Sequence, residues 1–203
     1  MLPVADLVIE PAYSRVVGIV EIWNRIETTL QAPAPAFSLP LGASEEAIGA
    51  CERALGLAFP SDYRASVAIH DGTGRFLFDS CELGSLESVV RRFQLFADIT
   101  REPPPISPSE WMRVSGPIRA QFWNPRWIPI ARTTSADTIL LDLDPPVGGL
   151  AGQVIHLTHE MSELHLVAPS FHAWLETFAD DLDAGRYEIR VSNGDVMGLE
   201  KRA

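Results

Sequence analysis

The stretch from Gly116 to Ile130 constrains this chain more than any other, because it sets Trp123, Trp127, Pro117, Pro125 and Pro129 in one short connection. It leads directly into the strand-like apolar residues that begin at Asp137 and end at Asp144-Pro145. Proline locks φ and removes an amide donor, so a segment this rich in proline and aromatic rings holds one backbone path. The stretch carries no nucleophile–base pair and no cluster of metal ligands. It points to a shaped surface rather than to a catalytic centre.

Charge narrows the partners. The 203 residues carry 27 acids against 16 bases, a formal net charge of −11, and Lys201 is the single lysine. Such a field repels DNA, RNA and anionic lipid, whose binding relies on Lys and Arg neutralising phosphates. A basic protein partner is the one it favours. No apolar run approaches the ~18 residues of a membrane span. The opening Met1-Leu-Pro-Val-Ala-Asp6 lacks the basic start of a signal peptide. Cys51 and Cys81 each lie in apolar surroundings and read as buried thiols, which suits a reducing cytoplasm.

Periodicity sets the order of elements. Ile19, Trp23, Ile26 and Leu30 recur at helical spacing, and prolines between 33 and 40 end that helix. Ser44 caps a second helix with Glu45 and Glu46 in its first turn and Gly56 beyond its end. Pro60 opens a third that Asp71-Gly72 stops. Residues 76–78 read as a strand, 86–96 as a helix and 102–108 as a stiff extended loop. Strands follow over 127–132, 138–143, 153–157 and 164–167. Phe171, Trp174, Leu175, Phe178 and Leu182 mark the clearest helix, with Gly185 at its end. A hairpin turning at Ser192-Asn-Gly194 closes the chain. The expected class is α+β, a mainly antiparallel central sheet flanked by helices. A single domain spans 1–203, its core about 19–187, with 1–13 and the hairpin 188–203 as extensions.

Specific motifs carry a family likeness. Gly42-Ala-Ser-Glu-Glu46, then Leu55-Gly-Leu-Ala-Phe-Pro-Ser-Asp-Tyr63 and His70-Asp-Gly72, resemble the first half of the SUKH superfamily. Trp123-Asn-Pro-Arg-Trp127-Ile-Pro, Leu141-Asp-Leu-Asp-Pro145, Gly152-Gln-Val-Ile155 and Ala168-Pro-Ser-Phe171 resemble its second half in order. The superfamily includes fungal Smi/Knr regulators of cell-wall synthesis and many bacterial immunity proteins. The resemblance implies a SUKH-like fold and a non-catalytic, protein-binding role. In the loop before the Asp142 strand, where the family often has paired glycines, this chain has Thr133-Thr-Ser-Ala136.

His156, His159, Glu160, Glu163 and His165 could suggest a metal site, but His156 and His159 are three apart, not four as on a zinc-hydrolase helix. The segment reads as a polar hairpin, with no metal and no cofactor. Asp142 and Asp144 on one strand face could form a carboxylate pair, yet a solvated face and a turn-opening Asp-Pro explain them as well. Trp127 reads as core, while Trp123 stands equally as core or contact residue. The expected function is a cytoplasmic bacterial immunity protein that occludes a basic cognate toxin, without nucleic acid or membrane. The alternative is a regulatory adaptor of envelope synthesis or a secretion system; a small-molecule enzyme is the remote third reading. The expected contact residues are Asp71, Asp79, Trp123, Asp142 and Asp144, with Glu176, Asp180, Asp181 and Asp183 as the rival acidic face.

Overall fold

The computed structural model describes residues 12–202 apart from 79, 103–105, 159 and 161, and for residues 12–17 the backbone alone. Helix α1 (Ala12–Gln31) buries Ile19, Ile22, Trp23, Ile26 and Leu30 on one stripe. Helix α2 (Glu45–Leu55) starts where the Ser44 side chain accepts from Ala47 N. It ends at Gly56, whose φ of 68° a residue with a side chain resists. Helix α3 (Ser61–Ile69) follows, with Pro60 just outside its first turn. Trp23 Nε1 donates to Ser66 Oγ at 3.0 Å, so α1 and α3 share a satisfied polar contact inside an apolar seam. Gly42 lies so close to the end of α3 that a Cβ there would stand 1.9 Å from Ala68 O. Only glycine allows this approach.

The sheet has the order β1-β3-β4-β5-β6-β2. Its strands are β1 (Cys81–Leu83), β2 (Arg113–Ser115), β3 (Trp127–Thr133), β4 (Thr138–Asp142), β5 (Gln153–Leu157) and β6 (Glu163–Ala168). All pairs are antiparallel except β2 with β6. Helix α4 (Leu86–Ile99) follows β1, α5 (Phe171–Asp183) follows β6, and β7 (Tyr187–Ser192) and β8 (Asp195–Lys201) form a separate hairpin. The class is α+β with a mostly antiparallel sheet, as the element order implied. Pro129 sits at a register shift in β3, where its missing donor is tolerated.

Antiparallel sheets commonly leave one face to water. Here every residue of β4 is buried. Alternation sends Ile128, Ile130, Ile139, Leu141 and Val154 into the main core with the helices, and Trp127, Leu140, Ile155, Leu157 and Leu164 into a second core. The second core is closed by Met112, Ile118, Phe122 and Trp123 from the tryptophan–proline stretch and the chain before it. Helix α4 joins both, through Val89 on one side and Phe96 on the other. The predicted surface segment is therefore a cover over the sheet. The terminal hairpin is packed too, since Val196 and Leu199 enter the main core.

Two local expectations change. Residues 76–78 make only the isolated bridge Phe78↔Cys81, and the strand lies further on, at β1. Leu77 and Phe78 are both about 1% exposed. Neighbouring side chains in a strand point to opposite faces, so two consecutive residues that both enter the main core at this edge require a looped backbone. Strand β2 was not expected at all; its three residues are largely exposed and give no alternation to read.

Candidate functional site

The register of the sheet gathers the polar residues at one end. Asp142, the last residue of β4, stands opposite Trp127 on β3 and Gln153 on β5. Its Oδ1 accepts from Trp127 Nε1 and from Asp144 N, each at 2.9 Å, and its Oδ2 accepts from Gln153 Nε2 at 3.0 Å. Gln153 Nε2 also donates to Pro117 O at 2.9 Å, while its Oε1 accepts from Leu150 N at 3.2 Å. Asp144, in the turn after β4, accepts from Asn124 Nδ2 and Arg119 Nε, each at 3.1 Å. Asn124 Oδ1 accepts from Arg126 N at 2.9 Å. Together these bonds suspend residues 117–126 across the sheet.

Asp142 is wholly buried, so its carboxylate cannot be offered to a partner. Nor do Asp142 and Asp144 share a strand face, because β4 ends at the first of them. Burial pushes the Asp142 carboxyl above its usual range against the opposing pull of its donors. The folded state thus holds that proton more firmly than the unfolded chain. The contribution of this group to stability is full at acid pH and is lost as pH rises through its folded value. Asp144 runs the other way. Its bond to Asn124 and the nearby Arg119 hold it below the usual range, so its contribution is lost as pH falls.

Trp123 stacks on Phe96 with ring centroids 4.9 Å apart and meets Phe93 edge-on at 5.2 Å. It is half-buried, part of the cover and part of the surface. Asp71 lies elsewhere. Its Oδ1 accepts from Leu86 N at 2.7 Å and, with Ser85, caps the start of α4. Since α4 follows β1, and β1 pairs with the far end of β3 from Trp127, Asp71 is not brought together with Asp142. Asp79 lies outside the described residues. Three of the four rival acids on α5 are engaged: Arg25 pairs with Asp180 and Asp183 at 2.7 Å each, and Asp181 is buried between Arg186 and Lys201, the latter at 3.0 Å, while Glu176 lies 3.9 Å from His172 Nδ1.

The imidazoles are held separately. His156 Nε2 lies 3.0 Å from Asp137 Oδ2, and His165 Nε2 lies 3.1 Å from Glu163 Oε2. Among the described residues no three potential metal ligands converge, and His159 is not among them. No helix of the described residues is long and apolar enough to cross a membrane. Cys51 and Cys81 are buried and unbridged, and burial pushes the Cys51 thiol up to about 11.

A cleft that sequence reasoning missed opens beside Asp71. It holds about 410 Å3 between β1, the start of α4 and β3, and is lined among others by Glu82, Ser85, Ser88, Arg91, Arg92 and Arg132. The adjacent Arg91-Arg92 pair in an acidic chain was its one sequence signal.

The sequence model of the SMI1 / KNR4 family (SUKH-1) matches residues 42–177, from the loop before α2 to the middle of α5. The chain belongs to this family. It is 32% identical over 125 residues to KNR4/SMI1 homolog 1 of Debaryomyces hansenii, covering 61% of this chain and 27% of that protein. It is 24% identical over 183 residues to the cell wall assembly regulator SMI1 of Saccharomyces cerevisiae, covering 72% of this chain and 36% of that protein. The glucan synthesis regulatory protein of Neurospora crassa is 22% identical, with 89% of this chain and 41% of that protein covered. The chain thus spans less than half the length of these SMI1/KNR4 relatives. The last two are named as regulators of cell wall assembly and of glucan synthesis, and all three come from fungi, which overturns the expected bacterial immunity role.

Proposed function

We propose that this chain is a non-catalytic regulatory adaptor of cell-wall or envelope synthesis, acting in the cytoplasm by binding a protein partner. The observation that carries this reading is the family match together with relatives named as regulators of wall assembly and glucan synthesis. The geometry supports it. The acids that resembled a catalytic pair are spent on backbone and side-chain donors that hold the cover in place. A net charge of −11 favours a basic partner through long-range attraction. Of the expected contact residues at the sheet end, Trp123 and Asp144 reach the surface, and they are the proposed contacts.

Deleting the gene in its native cell, then measuring wall polysaccharide and survival under a wall-binding dye, tests this. The expected result is less wall polymer and greater sensitivity, both restored by an intact copy. Unchanged wall content and sensitivity would overturn the regulatory reading.

A further inference from the structure

The cleft beside α4 holds more guanidinium groups than carboxylates. Its wall brings together Arg91, Arg92 and Arg132 with two carboxylates, Asp71 and Glu82. Both carboxylates are engaged. Arg132 grips Glu82 through Nε at 2.8 Å and Nη2 at 2.7 Å, and Asp71 accepts from Leu86 N. Among the described residues Arg91 has only an exposed Glu87 at 4.0 Å. Arg92, half-buried, makes no ion pair or hydrogen bond among the described residues. Burial first, then the neighbouring Arg132, weaken its hold on its proton, against the weaker opposing pull of the Glu82 carboxylate that Arg132 already grips. A guanidinium taken from water without a partner is costly, and its five N–H donors call for an acceptor.

We propose that this cleft binds a single phosphoryl group, held chiefly by the guanidinium groups of Arg91 and Arg92 with hydroxyl donors from Ser85 and Ser88. Three features select that chemistry. Two guanidinium groups and two hydroxyls suit a tetrahedral group with three strong acceptor oxygens better than a planar carboxylate with two. The start of α4 adds little, since Asp71 and Ser85 already satisfy it, so the attraction lies on the arginine side of the cleft. The net charge of −11 opposes any long polyanion, which restricts the ligand to one local charge and excludes a nucleic-acid backbone. A volume of about 410 Å3 leaves room for the group that carries the phosphate, a peptide side chain or a small metabolite. Such a site would operate whether or not the wall-synthesis reading holds.

The test titrates the intact protein with three probes: inorganic phosphate, a short phosphoserine peptide, and the same peptide with plain serine. Binding is followed by amide chemical shifts at Ser85, Ser88, Arg91 and Arg92 and by calorimetry. Saturable shifts confined to the cleft are expected with a phosphorylated probe and not with the plain peptide. Tighter binding of the phosphopeptide than of phosphate identifies a peptide source; equal binding identifies a small phosphate. Arg92→Gln should weaken binding roughly tenfold or more, as the loss of a charged hydrogen-bond donor does. Arg92→Lys, which keeps the charge but not the fork, should fall between. The ligand should raise the melting temperature of the parent protein and not of Arg92→Gln. No saturable shift at millimolar phosphate or phosphopeptide, or unaltered binding by Arg92→Gln, would overturn the site.

Discussion

The end of the sheet at Asp142 and the cleft at Arg92 look alike in sequence, each being a short run of like charges beside apolar residues, but they differ in the folded chain. At the first, the two acids accept from Trp127, Gln153, Asn124, Arg119 and a backbone amide. At the second, a half-buried cation meets no acceptor among the described residues. A charged residue with all its partners supplied from within is part of the framework. One left unmatched in a cleft has capacity to spare for something from outside. The two arrangements also predict opposite responses to substitution.

The largest difference should come from removing each charge. Asp142→Ala leaves the indole N–H of Trp127, one of the two N–H donors of the Gln153 amide and the Asp144 N–H without their acceptor in a buried place. It should cost about 3–5 kcal/mol in urea unfolding. Arg92→Gln should change stability by less than about 0.5 kcal/mol, since it breaks no internal bond. Equal losses at the two positions would erase the distinction drawn between them.

Next in size is the cover itself. Trp123→Ala removes a ring stacked on Phe96 and edge-on to Phe93, but one that is only half-buried. A loss of roughly 2 kcal/mol is expected, below the ~3–5 kcal/mol of a fully buried aromatic. Thermal unfolding would measure it. A loss below about 0.5 kcal/mol would mean that Trp123 belongs to the surface rather than to the cover.

The smallest effect lies at the other end of β4. Ala136 adopts φ 68°, in a turn closed by Thr133 N donating to Asp137 O and Asp137 N donating to Thr133 Oγ1. The hydroxyls of Thr133 and Ser135 hold here what paired glycines would otherwise permit. Ala136→Gly should therefore stabilise the fold by about 0.5–1 kcal/mol, since relief of left-handed strain outweighs the added freedom of the unfolded chain. A lower midpoint in denaturant would show that the turn is not strained.

Much of the fold was legible before any coordinates. The helix cap at Ser44, the stops at Gly56 and Gly185 and the apolar runs of β3, β4 and β5 are local signals, and each stands where the sequence put it. The family likeness was legible as well, because motif order survives where overall identity is low. The placement of the contact residues was less so. Asp71 and Asp142 were grouped by their positions after apolar runs, yet pairing of β1 with one end of β3 and of β4 with its other end separates them. Asp142 was read as exposed because an acid after apolar residues resembles a solvated strand end, and no local pattern announces a buried carboxylate.

By itself, then, the sequence determined the order and kind of most elements, the family, and the overall charge, because helix caps, proline positions and period-two or 3.6-residue patterns act over a few residues. Only the tertiary structure decided which charges are consumed and which are left over. Strand register set Trp127 and Gln153 on either side of Asp142. The packing of α4 against β3 carried Arg92 alongside Arg132, some 40 residues away in the chain. Whether a carboxylate or a guanidinium finds a partner depends on ångström distances between remote segments, and those distances exist only once the core has closed.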